Sequence, residues 1–177
     1  MNIVLIGYRG TGKSTVGKIL AERLNMTCIS MDAMIMEKAG MSIPQIVEER
    51  GWSGFRDLET EVARELARRD NLIIDAGGGV IERPQNIEAL RQNGLIIWLQ
   101  ASVPTIVSRI QGDTQRPSLT GAKSFTEEVS EVLERRTPLY RDAAQYTIDT
   151  DHLSPAEVAA KVIEKWNETL ARTKTVL

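Results

Sequence analysis

The stretch GYRGTGKST (7–15) stands between the apolar run MNIVLI (1–6) and the amphipathic VGKILAERL (16–24). Gly7, Gly12, Lys13 and Ser14 complete the pattern G-x-x-x-x-G-K-[ST]. An expected strand before it and helix after it are the setting in which that pattern holds phosphate. Glycines let the backbone turn tightly enough for successive N–H groups to converge on phosphate oxygens, and the start of the next helix adds its positive dipole end. Gly10, Thr11 and Gly12 belong to this cradle. Lys13 can bridge the β- and γ-phosphates, the Ser14 hydroxyl can ligate Mg²⁺, and Thr15 is placed to reach the α-phosphate. A dinucleotide fingerprint is excluded, because after Gly10 and Gly12 the third glycine position holds Thr15. The stretch reads as a nucleotide site.

Working outward, NIVLIG (2–7), TCIS (27–30), NLIID (71–75), GLIIWLQ (94–100) and QYTID (145–149) are apolar bursts without apolar–polar alternation. That is the pattern of parallel strands covered on both faces. Amphipathic helices lie between them: Val16, Ile19, Leu20 and Leu24 form one stripe, and Val158, Val162, Trp166 and Leu170 another. Ser42 with Gln45, Ser124 with Glu127, and Ser154 with Glu157 read as capping boxes, the last with Pro155 at the first helical position. Strands alternating with helices predict one α/β domain over residues 1–177, with a mainly parallel sheet. GDTQRPSLTGAK (112–123) breaks the rhythm, with Leu119 its one large apolar residue. It is expected to be a surface loop that serves as a lid.

Twenty-two Lys and Arg against 24 Asp and Glu leave a net charge of −2, which disfavours nonspecific nucleic-acid binding and requires any anionic ligand to be held by local positive charge. The single cysteine, Cys28, excludes an internal disulfide and fits a reducing compartment. No apolar run approaches the roughly 20 residues that span a bilayer. The start MNIVLIG lacks a basic flank or cleavage site, so a cytoplasmic protein without membrane contact is expected.

A phosphate loop usually works with a carboxylate at the end of a neighbouring strand, and NLIIDAGGG (71–79) supplies Asp75. Asp75 is expected to act on Mg²⁺ through water; capping the next turn is the alternative. The Asn-Lys-x-Asp string of guanine-specific proteins is absent from the sequence, so a small-molecule kinase fits better than a GTPase.

GYRGTGKST, MD (31–32), FRDLE (55–59), GGG (77–79), QRPSL (115–119) and ERRTPLYRD (134–142) together resemble the shikimate kinases, in order and at compatible spacing, over residues 1 to about 170. The resemblance implies a three-layer P-loop kinase fold, a five-stranded parallel sheet in the order 2-3-1-4-5 flanked by helices, with a substrate-binding segment (32–60) and a lid (112–123). It implies ATP-dependent phosphorylation of a shikimate ring hydroxyl, giving shikimate 3-phosphate and ADP; oxygen ligands and phosphates favour Mg²⁺ as the cofactor, and a monomer is expected. Arg56 and Arg136 match the arginines that grip the carboxylate, a task suited to planar guanidinium groups. Asp32 matches the acidic residue that accepts from the ring hydroxyls. Gly77, Gly78 and Gly79 match the glycines that let backbone amides approach the ligand. Arg116 matches the lid arginine, expected to stabilise charge on the transferring phosphoryl group. Arg109 and Pro155 match positions near the adenine. Read without the resemblance, Arg56 and Arg136 suit solvated helix faces, and Asp32 suits a helix N-cap before AMIMEKAG (33–40).

One departure stands out. The family usually has Asp-x-Asp at the end of the second strand, where this chain reads Ser30-Met31-Asp32, and a small neutral residue where it has Asp75. The expectation is that one carboxylate has moved to the adjacent strand; the alternative is weakened activity. A kinase for another polyol acid such as gluconate, or for a nucleotide, and a weakly active ATP-binding regulatory module remain open. Met26, Met31, Met34, Met36 and Met41 read as adaptable packing, His152 as solvated, Cys28 as a small buried hydrophobe, and Trp52 as either pocket wall or core.

Overall fold

The computed structural model describes residues 1–111 and 124–175. The expected lid, 112–123, lies outside them. Five strands form one parallel sheet: β1 (Asn2–Ile6), β2 (Thr27–Ser30), β3 (Leu72–Asp75), β4 (Gly94–Gln100) and β5 (Tyr146–Asp149), in the order β2-β3-β1-β4-β5. Both the strands and their order agree with the sequence reading. The helices are α1 (Lys13–Leu24), α2 (Met31–Ala39), α3 (Ile43–Ala67), α4 (Pro84–Gln92), α5 (Val103–Ile110), α6 (Phe125–Ala143) and α7 (Pro155–Thr175).

Burial follows position in the sheet. The inner strands β1 and β3 are buried at every residue, and β4 at all but Gln100, as expected where helices cover both faces. The edge strand β2 is only half covered, and β5 buries Ile148 alone. Cys28, expected to be buried, is therefore half-exposed. Alternate residues of the inner strands feed two cores. Val4, Ile6, Ile74 and Trp98 pack with α2, α3 and α4 on one face, whereas Ile3, Leu5, Ile73 and Ile97 pack with α1 and α7 on the other. Truncating one such residue, Ile73 or Ile74, costs about 2–5 kcal/mol.

Local rules fix the helix starts. All three expected capping boxes form: Ser42 with Gln45, Ser124 with Glu127, and Ser154 with Glu157. Helix α3 is broken at Gly51, whose φ of 67° and ψ of 175° suit a residue without Cβ. The break separates the segment that packs Ile43 and Ile46 from the one that carries Arg56 and Glu59. Asp32 is not the N-cap of α2. Ser30 holds that position, its hydroxyl accepting from the Ala33 amide at 3.3 Å, because Ser30 is the last extended residue of β2. Asp32 thus sits in the first turn, its carboxylate spared the capping task.

Of the methionines, Met31 is buried, Met34 and Met41 pack on the same core, Met26 packs on the other, and Met36 is exposed, in keeping with a packing role. His152 is exposed. Among the described residues no helix is long and apolar enough to cross a membrane.

Candidate active site

The carboxyl ends of β1, β2 and β3 open onto a cavity of about 240 Å³ lined by Gly10, Gly12, Lys13, Ser14, Thr15, Ser30, Asp32, Asp75 and Gly78 among others. Residues 7–12 turn from β1 into α1 through three glycines with positive φ. At Gly10, φ is 82° and an added Cβ would meet the Ile110 side chain at 2.6 Å, so both conformation and space exclude a larger residue. The turn aims its amides and the N-terminus of α1 into the cavity, a ready anion site. Lys13 Nζ lies along the loop, donating to Gly7 O at 2.8 Å and Tyr8 O at 3.1 Å.

Asp75 and Ser14 meet in this cavity. The Ser14 hydroxyl donates to Asp75 Oδ2 at 2.6 Å. Parallel pairing sets Asp75 beside Leu5 on one side and Ser30 on the other. The carboxylate therefore stands one strand over from the phosphate loop, and Ser30 occupies the matching place on the next strand. Among the described residues there is no group of three or more His, Cys, Asp or Glu that could hold a metal alone. A hydroxyl and carboxylates around a phosphate cradle fit a hard cation such as Mg²⁺, which takes part of its shell from phosphate and water.

A second cavity, about 290 Å³, adjoins the first through Gly12 and Thr15 and is lined by Thr11, Arg109, Thr150, Leu153 and Pro155. Arg109 donates to Gly10 O at 3.0 Å and reaches Thr150 Oγ1 at 3.5 Å. Its mostly apolar walls suit a flat heterocycle. The sequence-predicted nucleotide residues Gly10, Thr11, Gly12, Lys13, Ser14, Thr15, Arg109 and Pro155 thus line two connected cavities. Arg116 lies outside the described residues.

On the other side of the first cavity the run Gly77-Gly78-Gly79 forms a buried floor. Gly77 faces Glu59 and Asp32, where an added Cβ would lie 2.9 Å from Glu59 Oε2 and 3.1 Å from Asp32 Oδ1. Gly78 faces Arg136 Nη1 and the phosphate loop at Arg9 and Gly7. Gly79 faces Arg56, whose guanidinium would lie 2.2 to 2.5 Å from a Cβ there, so alanine at Gly79 would push the tip of that arginine aside. The three glycines therefore bring together residues from α2, α3 and α6 that are remote in sequence.

Each arginine of this floor is held by a carboxylate. Arg56 Nη1 donates to Glu59 Oε1 at 2.8 Å, one helical turn on, and Glu59 is completely buried. Burial pushes the Glu59 carboxyl above its ordinary range and the neighbouring Arg56 pulls it back in part. Glu59 Oε2 accepts no hydrogen bond among the described residues, and a buried acceptor of that kind is costly until a donor arrives. Trp52 and Phe55 lie edge to face at 5.7 Å, with the Arg56 guanidinium 5.6 Å from the Trp52 centroid. Trp52 is thus a wall behind Arg56 as well as core packing. Arg136, 5% exposed, donates through Nε to Glu82 Oε1 at 2.8 Å and stands 5.9 Å over the Tyr8 ring. One turn further along α6, the buried Tyr140 donates its hydroxyl to Gly78 O. Burial pushes that phenol up to about 12, against the pull of Arg136.

Glu59, Glu82, Tyr8 and Tyr140 are site residues that motif reading missed. Three of them lie inside or beside quoted motifs, GYRG, FRDLE and RRTPLY; Glu82 carries no sequence signal of its own.

A parallel sheet in the order 2-3-1-4-5, a phosphate loop leaving its central strand and a carboxylate one strand away define a P-loop kinase. The family model described as shikimate kinase matches residues 9–167. The "Shikimate kinase" of Thermodesulfovibrio yellowstonii is 40% identical over 98% of this chain and 99% of its own. The shikimate kinase from Acinetobacter baumannii, solved in complex with shikimate, is 37% identical with a TM-score of 0.90, covering 95% of this chain and 93% of that one. A gluconokinase from Sinorhizobium meliloti, at 18% identity and a TM-score of 0.60 over 97% and 96% of the two chains, shares the fold alone. The chain belongs to the shikimate kinase family.

Proposed function

We infer that the chain transfers the γ-phosphoryl group of ATP to a ring hydroxyl of shikimate, giving shikimate 3-phosphate and ADP. The observation that carries the reading is the glycine floor. The Cβ-less face of Gly78 is turned to Arg136 and to the phosphate loop, while those of Gly77 and Gly79 are turned to Asp32 and Arg56. An acid gripped by two guanidinium groups there would present its hydroxyls to the cavity that takes the phosphates.

In this reading Arg56 and Arg136 hold the ring carboxylate, and Asp32 and Glu59 accept from ring hydroxyls. Phosphoryl transfer has a loose transition state, so positioning and charge neutralisation dominate. The ring hydroxyl oxygen bonds to the γ-phosphorus as the bond from that phosphorus to the β–γ bridging oxygen breaks, and ADP leaves with the electron pair. Asp32 first orients the hydroxyl and then takes its proton. Lys13 and the loop amides stabilise the charge shared between the β- and γ-phosphates, with Arg116 of the 112–123 segment as the lid cation. Mg²⁺, when bound, would neutralise phosphate charge; Ser14 would be the residue that holds it, with Asp75, which accepts from the Ser14 hydroxyl at 2.6 Å, supporting it through water. Asp75 thereby takes the task of the carboxylate that Ser30 replaces. The same reading has the chain acting as a cytoplasmic monomer, whose assembly state light scattering on the purified protein checks.

Coupled ADP release over a panel of shikimate, gluconate and nucleoside monophosphates is the direct test. Turnover on shikimate alone is expected. Consumption of gluconate or a nucleotide in its place, or ATP binding without turnover, would overturn the reading.

A further inference from the structure

Outside the residues that motif reading supplies, Glu82 is bound to both arginines of the pair 135–136. It ends the 3-10 turn Val80–Glu82 that follows the glycine floor. Its Oε1 accepts from Arg136 Nε and from Arg135 Nη2, both at 2.8 Å, and its Oε2 from Arg135 Nη1 at 2.8 Å. Arg135 is 57% exposed, Glu82 19% and Arg136 5%, so the three form a ladder from solvent to the site. Burial pushes the Glu82 carboxyl up, but the two arginines outweigh it and hold it below its ordinary value. The next residue, Arg83, reaches the other way, donating to Asp57 at 2.7 Å on α3, beside Arg56. One short turn is thus fastened to both helices that bear the substrate-facing guanidinium groups.

We propose that Glu82 is the positioning residue that aims Arg136 at the acid, with Arg135 as its counter-charge. The proposal rests on the reading that Arg136 grips the ring carboxylate. A carboxylate on Nε fixes the plane of the guanidinium and leaves the terminal nitrogens, of which Nη1 lies over Gly78, to meet the ligand as a fork. A lone anion at Glu82 would repel the acid it helps to hold. Arg135, bound to both of its oxygens, cancels that charge, so the trio presents one net positive charge, on the buried Arg136. Without Glu82, Arg136 keeps its charge but not its plane.

Steady-state kinetics of Glu82→Ala and Glu82→Gln, with Arg136→Ala as control and ATP binding measured in parallel, test this. In Glu82→Ala the KM for shikimate is expected to rise about tenfold, the scale of one hydrogen bond to a charged group, while kcat and ATP affinity hold. That split is the mark of lost substrate binding without loss of transition-state contacts. Glu82→Gln, which keeps an acceptor for Nε but not the charge, falls between; it carries the test alone if the alanine variant does not fold. Should Glu82→Ala leave this KM unchanged or lower it while Arg136→Ala raises it, the proposal fails and the role of Arg136 stands. If neither variant moves it, the reading of Arg136 fails as well.

Discussion

Lys13 and Ser14 reach their places from nine consecutive residues, 7–15, whereas Asp32, Arg56, Glu59, Glu82 and Arg136 reach theirs from α2, α3, a 3-10 turn and α6. The two ends of the site meet at Gly78 but are specified differently. At the phosphate end, the proposed binding rests on backbone geometry: glycines with positive φ turn the chain and a helix start aims its amides. At the proposed acid end the binding groups are side chains, and each arginine is held by a partner distant in sequence or one turn away on its own helix. A locally encoded site tolerates changes elsewhere in the fold. A site assembled from four elements depends on the packing and ion pairs that set those elements against one another.

The comparison breaks first if the phosphate end is not where the chemistry lies. Lys13→Met is expected to lower kcat by about 10³, the scale for removal of one preorganised donor to developing charge, with the fold and shikimate binding intact. Stopped-flow or coupled-assay turnover alongside shikimate calorimetry measures both; retention of kcat would sink it.

The acid end is sharpened by Arg56→Lys, which keeps charge but not the planar fork. A loss of about 2 kcal/mol, or about thirtyfold in the KM for shikimate, is expected, with the KM for ATP unchanged. An equal rise in both constants would mean that the two ends are not separable.

Asp75 lies between the two. Asp75→Ala is expected to weaken the Mg²⁺ dependence of turnover and of nucleotide binding about tenfold, as for other groups that orient a metal's ligands. The double change Ser30→Asp with Asp75→Ser moves the carboxylate across one register pair and is expected to restore much of the loss. Normal Mg²⁺ titration of Asp75→Ala would remove Asp75 from the metal site.

A last effect, on stability instead of turnover, concerns the tie between the ends. The Tyr140 phenol is raised in the folded state to about 12 from an ordinary value of 10.0. Stability tied to its neutral form is fully present below pH 10 and is lost as pH climbs through 10 towards 12, since the unfolded chain sheds the proton first. The unfolding free energy from denaturant titrations is expected to fall across that window by on the order of 3 kcal/mol, and Tyr140→Phe should lack this component. A Tyr140→Phe profile parallel to that of the parent would show that the phenol is not the group responsible.

Much of this was legible in sequence because the signals are local. Continuous apolar runs announce inner strands such as NIVLI and GLIIWLQ, and a serine three residues before Glu or Gln announces a helix start. The edge strands were misjudged in burial, as with Cys28, because a run of apolar residues does not reveal how many neighbours a strand has. Asp32 was open as an N-cap because the last extended residue of β2, Ser30, could be identified only once the strand end was seen. Glu82 was missed altogether, since a lone glutamate after a glycine run has many meanings until Arg135 and Arg136, more than 50 residues later, are brought against it.

By itself the sequence determined the phosphate loop, the alternation of strands and helices and the family, because these rest on nearest-neighbour chemistry and on period. Only the tertiary structure decided which carboxylate faces which cation, that Asp75 stands beside Ser14, and that the turn after the glycine floor ties both arginine-bearing helices together. Those choices depend on distances between groups tens of residues apart, and only the packed sheet and its helices set such distances.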